Sequence, residues 1–231
     1  MTNKTRPSHP CSGLRPYRWP RARMLRDISQ LNGRLLDSLA ECTRSNPTVG
    51  KELLGIQEGL LADLDGVALR RAASIPVLLL DLRFSDVEWW TSAARCDEEL
   101  LAPEPLLYPW QAALARELLW VTWAALREDS STASVLFGIR SPVAKVIEDL
   151  SPRQIEFLGG TWCGQLRPRC AGNPSFWKRL VAATSSREDS ALAALHVFAL
   201  QVMAGESLGM DRAHRTRPVH VAMTHRVMSH A

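Results

Sequence analysis

Leu53-Leu54-Gly55-Ile56 recurs as Leu136-Phe137-Gly138-Ile139, each time after a long apolar stretch of helical period and before an Asp-Leu-centred pair of shorter ones. Upstream, Leu31, Leu35 and Leu36 return 83 residues later as Leu114, Leu118 and Leu119. Downstream, Asp63-Leu64, Leu69, Leu80 and Arg83 return 86 residues later as Asp149-Leu150, Ile155, Leu166 and Arg169. The second copy thus carries three extra residues between Ile139 and Asp149. An ordered series of matches constrains a fold more than composition does, because each copy has to repeat one supersecondary unit.

A copy of about 60 residues lies near the lower limit for an independent core, so the two copies are expected to pack on each other or on a partner. Apolar residues at 46% with charged residues at 23% mark a globular chain. No apolar run approaches a membrane span and the first 26 residues lack the apolar core of a secretory signal, so a soluble, cytoplasmic protein is expected. Five cysteines, Cys11, Cys42, Cys96, Cys163 and Cys170, contain no CxxC pair, which argues for reduced structural thiols rather than a disulfide framework or zinc knuckle.

Charge is uneven. Residues 1–26 carry Lys4, Arg6, Arg15, Arg18, Arg21, Arg23 and Arg26 with four prolines and no acid, and the end beyond Asp211 is again acid-free. Between the copies, Asp81 to Glu104 holds seven acids against Arg83 and Arg95. Basic ends on a chain of pI about 9 suit a nucleic-acid neighbour, and equally a solvated tail. Residues 1–23 read as well as an extension ahead of Met24.

The punctuation is multihelical. From Ile28 the positions Leu31, Leu35, Leu39 and Cys42 share one helical face, and Asn46-Pro47 and Gly55 then bracket a short helix. Asp65-Gly66 opens another, with Leu69 and Ala72, before Pro76 introduces Val77-Leu78-Leu79-Leu80, a run too short to separate strand from buried helix. In the second copy a helix over roughly Trp110 to Arg127 is apolar nearly all round, and Ser141-Pro142 and Ser151-Pro152 begin two short helices, a pair that any bundle or a helix-turn-helix could contain. Ser185 and Glu188 form a capping-box pattern ahead of a terminal helix carrying Leu192, Leu195, Ala199 and Val202. The expected divisions are a basic disordered arm (1–26), copy one (27–86), an acidic proline-containing linker (87–109), copy two (110–172), C-terminal helices (173–205) and a basic, histidine-containing tail (206–231).

The series Arg127-Glu128-Asp129, Phe137-Gly138-Ile139, Leu150-Ser151-Pro152-Arg153-Gln154-Ile155 and Leu166-Arg167-Pro168-Arg169 resembles the FlhD subunit of the bacterial flagellar transcriptional master regulator. Copy one resembles it through Leu54-Gly55-Ile56, Ala72-Ala73 and Leu80-Asp81-Leu82-Arg83-Phe84. The resemblance implies an all-α fold of two tandem FlhD-like repeats packed as a pseudo-dimer, plus a C-terminal helix. It also implies a co-activator that works with a zinc-containing FlhC-like partner, which supplies most of the contact with promoter DNA. Where family members commonly place a bridging cysteine, both copies have leucine, Leu80 and Leu166, so packing is expected to join them.

Candidate phosphate contacts are Arg15, Arg18, Arg21, Arg23, Arg83, Arg167 and Arg169. The candidate interface between copies, or with a partner, comprises Leu31, Leu35, Leu80, Leu114, Leu118, Leu166, Trp120 and Trp123. Assembly as a homo-oligomer is a further option. Enzyme function is not expected, and neither a metal site nor a cofactor: there is no Gly-rich phosphate loop, G-x-S-x-G or HExxH, and His196 reads as a satisfied core-edge histidine. The competing reading is an interaction protein that sequesters or modulates an FlhD/FlhC-type complex without binding DNA.

Overall fold

The computed structural model describes residues 22–46, 48, 61–95, 110–171, 173–186 and 188–214, with side chains as far as Gly205 in the last stretch. The fold is all-α and multihelical. Along the described residues run α1 (Ala22–Ser45), α2 (Gly66–Ala73), β1 (Leu80–Asp81), α3 (Val87–Ala93), α4 (Trp110–Phe137), α5 (Ser141–Glu148), α6 (Pro152–Thr161), a 3-10 turn (Cys163–Gln165), β2 (Arg167–Pro168), α7 (Pro174–Ser185) and α8 (Asp189–His214).

Several ends follow from caps legible in the sequence. Asp65 accepts from the Ala68 amide at 2.7 Å to begin α2, and Ser151 with Gln154 forms a reciprocal capping box at α6. Other boundaries differ from expectation. Helix α1 starts at Ala22, inside the stretch read as a disordered arm, because Met24 is buried and anchors its first turn. Helix α4 runs past Arg127 to Phe137 as two helices end to end: Asp129 has φ −156° and ψ 87°, and its carboxylate accepts from the Thr132 amide at 3.1 Å as a cap for the second. Ser141 lies within the first turn of α5, where Arg140 precedes the helix without a side-chain cap. Ser185 closes α7, so the expected box with Glu188 does not form, and α8 begins at Asp189 and runs on to His214, into the expected tail. The Leu53–Ile56 motif lies outside the described residues, as does all but Thr48 of the short helix expected after Asn46, while the motif's second copy ends α4 with Gly138 at φ +63°, a left-handed turn that suits glycine.

The two long helices, α1 and α4, pack together, with α2 against α1 and α6 against α4. The chain then crosses over. After α2 it runs extended into β1, which resolves the ambiguous Val77–Leu80 run, and β1 pairs antiparallel with β2, Leu80 opposite Pro168 and Asp81 opposite Arg167. Beyond the ribbon, α3 packs on α5 of the C-terminal half, and α7 packs on α2 of the N-terminal half. The stretch expected to be linker therefore begins with a helix whose Trp90 is completely buried.

Two glycines show how closely the helix pairs approach. A Cβ on Gly159 of α6 would stand 2.9 Å from the Arg116 Cα of α4, whereas a Cβ on Gly33 of α1 would meet the Ala73 Cβ of α2 at an ordinary 3.8 Å. Gly159→Ala is expected to lower stability by about 1–2 kcal/mol, since overpacking against backbone near the upper end of ~1–3 kcal/mol outweighs the ~1 kcal/mol gained in helix propensity. Gly33→Ala, with no clash, is expected to raise stability by about 0.5–1 kcal/mol. Urea unfolding of both variants checks the pair; a shift of the same sign in both would refute this reading of the helix contacts.

Candidate functional site

The structure concentrates its chemistry at the crossover, where Arg169 stands immediately after β2. Its side chain is 6% exposed and donates to the carbonyls of Phe137 at 2.6 Å, Leu80 at 3.2 Å and Gly138 at 3.5 Å, with Asp81 3.6 Å away. A planar guanidinium with five donors suits this fan of acceptors. Backbone bonds reinforce the junction: the Arg169 amide donates to Leu79 O at 2.7 Å, Leu78 to Leu136 O at 3.0 Å and Arg140 to Phe84 O at 3.1 Å. Each of these joins residues of the N-terminal half to residues of the C-terminal half.

Around the ribbon, local features recur 87 residues apart. Arg83 and Cys170 hold left-handed backbone, φ 52° and 55°, and Asp86 and Asn173 cap α3 and α7. Trp90 donates its indole N–H to Leu82 O at 3.2 Å, and Trp177 donates to Arg169 O at 3.2 Å; both rings are fully buried. Each also meets its preceding aromatic edge to face, Trp89 and Phe176. The register here is one residue longer than the 86 that matching Leu80 with Leu166 and Arg83 with Arg169 suggested. By geometry, Arg83 corresponds to Cys170 and Leu82 to Arg169. Sequence matching missed this because the shared feature is a backbone conformation followed by a cap, with different residues filling it.

Each long helix contributes one buried amide that fixes the residue before its strand. Asn32 accepts from the Leu79 amide at 2.8 Å and donates to Val77 O at 2.9 Å, while Gln111 donates to Leu166 O at 3.1 Å. Neither amide was singled out in the sequence, though a polar residue on an apolar helical face was the available signal.

The expected interface leucines, Leu31, Leu35, Leu80, Leu114, Leu118 and Leu166, are all buried. Trp120 and Trp123 are half-buried, stack edge to face, and tie α4 to the α6 region through bonds to Glu156 at 3.1 Å and Leu150 O at 3.0 Å, within the C-terminal half. Between α1 and α4, Glu117 pairs with Arg34 and accepts from Gln30.

The candidate phosphate contacts diverge. Arg15, Arg18 and Arg21 lie outside the described residues. Arg23 is exposed on α1 beside Asp27 at 3.8 Å. Arg83 pairs with Asp86 at 2.5 Å and lies over the Trp89 ring at 5.3 Å. Arg167 donates to Gly164 O at 2.5 Å and Leu166 O at 2.9 Å, and Arg169 is buried as described, which leaves its guanidinium no face for a phosphate. Arg169 thus changes from candidate DNA contact to internal latch, because the ribbon turns it toward the carbonyls that end α4.

Chemistry elsewhere is sparse. Among the described residues no cluster of three or more His, Cys, Asp or Glu could hold a metal ion, and no helix is long and apolar enough to cross a membrane. His196 is not the satisfied histidine expected: its Nε2 is buried without a hydrogen-bond partner, and burial holds its pKa below the usual 6.5. Asp149 caps the end of α5 and accepts from Lys145 at 2.9 Å, which raises the lysine's pKa. No protein-family model, curated protein or solved structure matches this chain.

Proposed function

We propose that this chain is a cytoplasmic transcription-regulating subunit of FlhD type, two FlhD-like copies fused into a pseudo-dimer, acting with an FlhC-like partner at promoters of bacterial flagellar or related genes. The observation that carries the reading is the reciprocal exchange at the ribbon. Each half sends a strand, a left-handed turn and a capped helix onto the other half, with a buried tryptophan at the same place in both. Such an exchange is how two subunits of a symmetric dimer would look after fusion, since an isologous contact repeats each interaction twice. The antiparallel register has the same symmetry, Leu80 with Pro168 and Asp81 with Arg167. Fusion makes assembly intramolecular and independent of concentration.

The commitment of Arg167 and Arg169 to internal carbonyls favours base reading by the partner rather than by this chain. It also favours, as a second reading, a protein that sequesters or modulates an FlhD/FlhC-type complex without touching DNA. Co-purification with the FlhC-like protein, followed by a mobility-shift assay on promoter DNA, separates the two. A shift that needs both chains is the expected result. A stable complex that abolishes the partner's own shift would establish the modulator, and no association at all would sink both.

A further inference from the structure

Helix α8 has two apolar faces and only one of them is covered. Leu195, Ala199 and Met203 are buried against the body of the fold, where Phe198 also stacks on Phe176. On the other side Ala193, Val197, Leu200 and Ala204 are exposed, Val197 at 56% and Leu200 at 38%. No Asp, Glu, Lys or Arg occurs between Ser190 and Gly205. A helix apolar on all sides is normally buried on all sides. The outer residues follow a four-three-four spacing, the seam of a two-stranded coiled coil rather than the wider stripe of a helix resting on a core.

The geometry points to a second copy of this chain as the occupant of that face, the two α8 helices lying antiparallel across a two-fold axis. With the axis midway between Phe198 and Ala199, Val197 meets the partner's Leu200 and Ala193 meets the partner's Ala204, each contact occurring twice. Large residues then fill the centre and small ones the ends, and no charge meets a like charge anywhere along the seam. Beside the seam, an open groove of about 400 Å³ between α7 and α8 shares Ala194 with the exposed face and widens the apolar surface available to the second copy. The seam from Ala193 to Ala204 is about 17 Å long, which fits a reversible dimer better than an obligate one. This inference does not depend on the FlhD reading, since α8 follows both copies.

Sedimentation of the full chain from about 1 to about 200 µM tests it. The expected result is a mass rising from 25.7 kDa toward twice that value with concentration, and a V197E/L200E variant that stays at 25.7 kDa with an unchanged melting temperature. Under mild oxidation, A193C/A204C is expected to give a covalent dimer well above the wild-type background, and A193C alone is not, because the two Ala193 positions stand about 17 Å apart in this register. A monomer at every concentration would overturn the proposal. So would a dimer indifferent to V197E/L200E, efficient bridging by A193C alone, or a face that binds the FlhC-like protein and never itself.

Discussion

Arg169→Ala is expected to lower the stability of the whole chain by about 3–5 kcal/mol, the usual cost of removing one side of a buried charged network. The carbonyls of Phe137 and Leu80 lose a donor in a buried position, and that of Gly138 loses one in a half-buried position. Left unsatisfied, a buried acceptor costs about 1–3 kcal/mol. Against a total stability of about 5–15 kcal/mol the loss is a large fraction. Arg169→Lys separates charge from geometry: an ammonium keeps the attraction to Asp81 but cannot spread donors over three divergent carbonyls, so it is expected to recover less than half of the loss. Urea unfolding with unchanged slope would report a pure stability effect. A loss below about 1 kcal/mol for the alanine variant would show that the latch contributes little.

The parts of the fold written in apolar periodicity were legible in the sequence. Leu31, Leu35, Leu114 and Leu118 share faces at helical spacing, and all are buried. Caps were legible where a side chain alone makes them, as at Asp65 and Ser151. The crossover was not, because it is built from backbone. Left-handed residues at Arg83 and Cys170, one an arginine and one a cysteine, leave no common letter to match. Trp90 and Trp177 were visible as tryptophans, but their shared bond to a carbonyl eight residues back exists only once the turn is formed. Arg169 read as a phosphate ligand for the same reason: sequence shows the charge of a guanidinium and hides the direction in which a two-residue strand aims it. The exposed seam of α8 was hidden by its neighbours, since Leu192, Leu195, Ala199 and Val202 suggested one stripe where the helix carries two.

Cutting the chain between residues 102 and 103 is expected to leave two fragments that fold only together. Each half keeps its long helix but loses the surface that receives its arm. In the N-terminal fragment, Phe84 and Trp90 are the arm's fully buried rings, and α3 has no α5 to rest on. In the C-terminal fragment α7, which carries the fully buried Trp177, lacks the α2 on which it packs. Two large aromatic side chains contribute about 3–6 kcal/mol when buried, so the loss of one arm's docking alone approaches the whole stability of a small domain. Neither fragment by itself is expected to melt cooperatively, and an equimolar mixture is expected to recover the far-ultraviolet dichroism and buried-tryptophan fluorescence of the intact chain. Because cutting turns an intramolecular contact into a bimolecular one, the melting temperature of the mixture should rise with concentration while that of the intact chain does not rise in step. A C-terminal fragment that melts cooperatively alone, with Trp177 as shielded as in the full chain, would mean that the arms decorate two independent domains. Recovery only on mixing would mean that the crossover is the fold, and that an unbroken chain holds in place an exchange which two fragments have to find by collision.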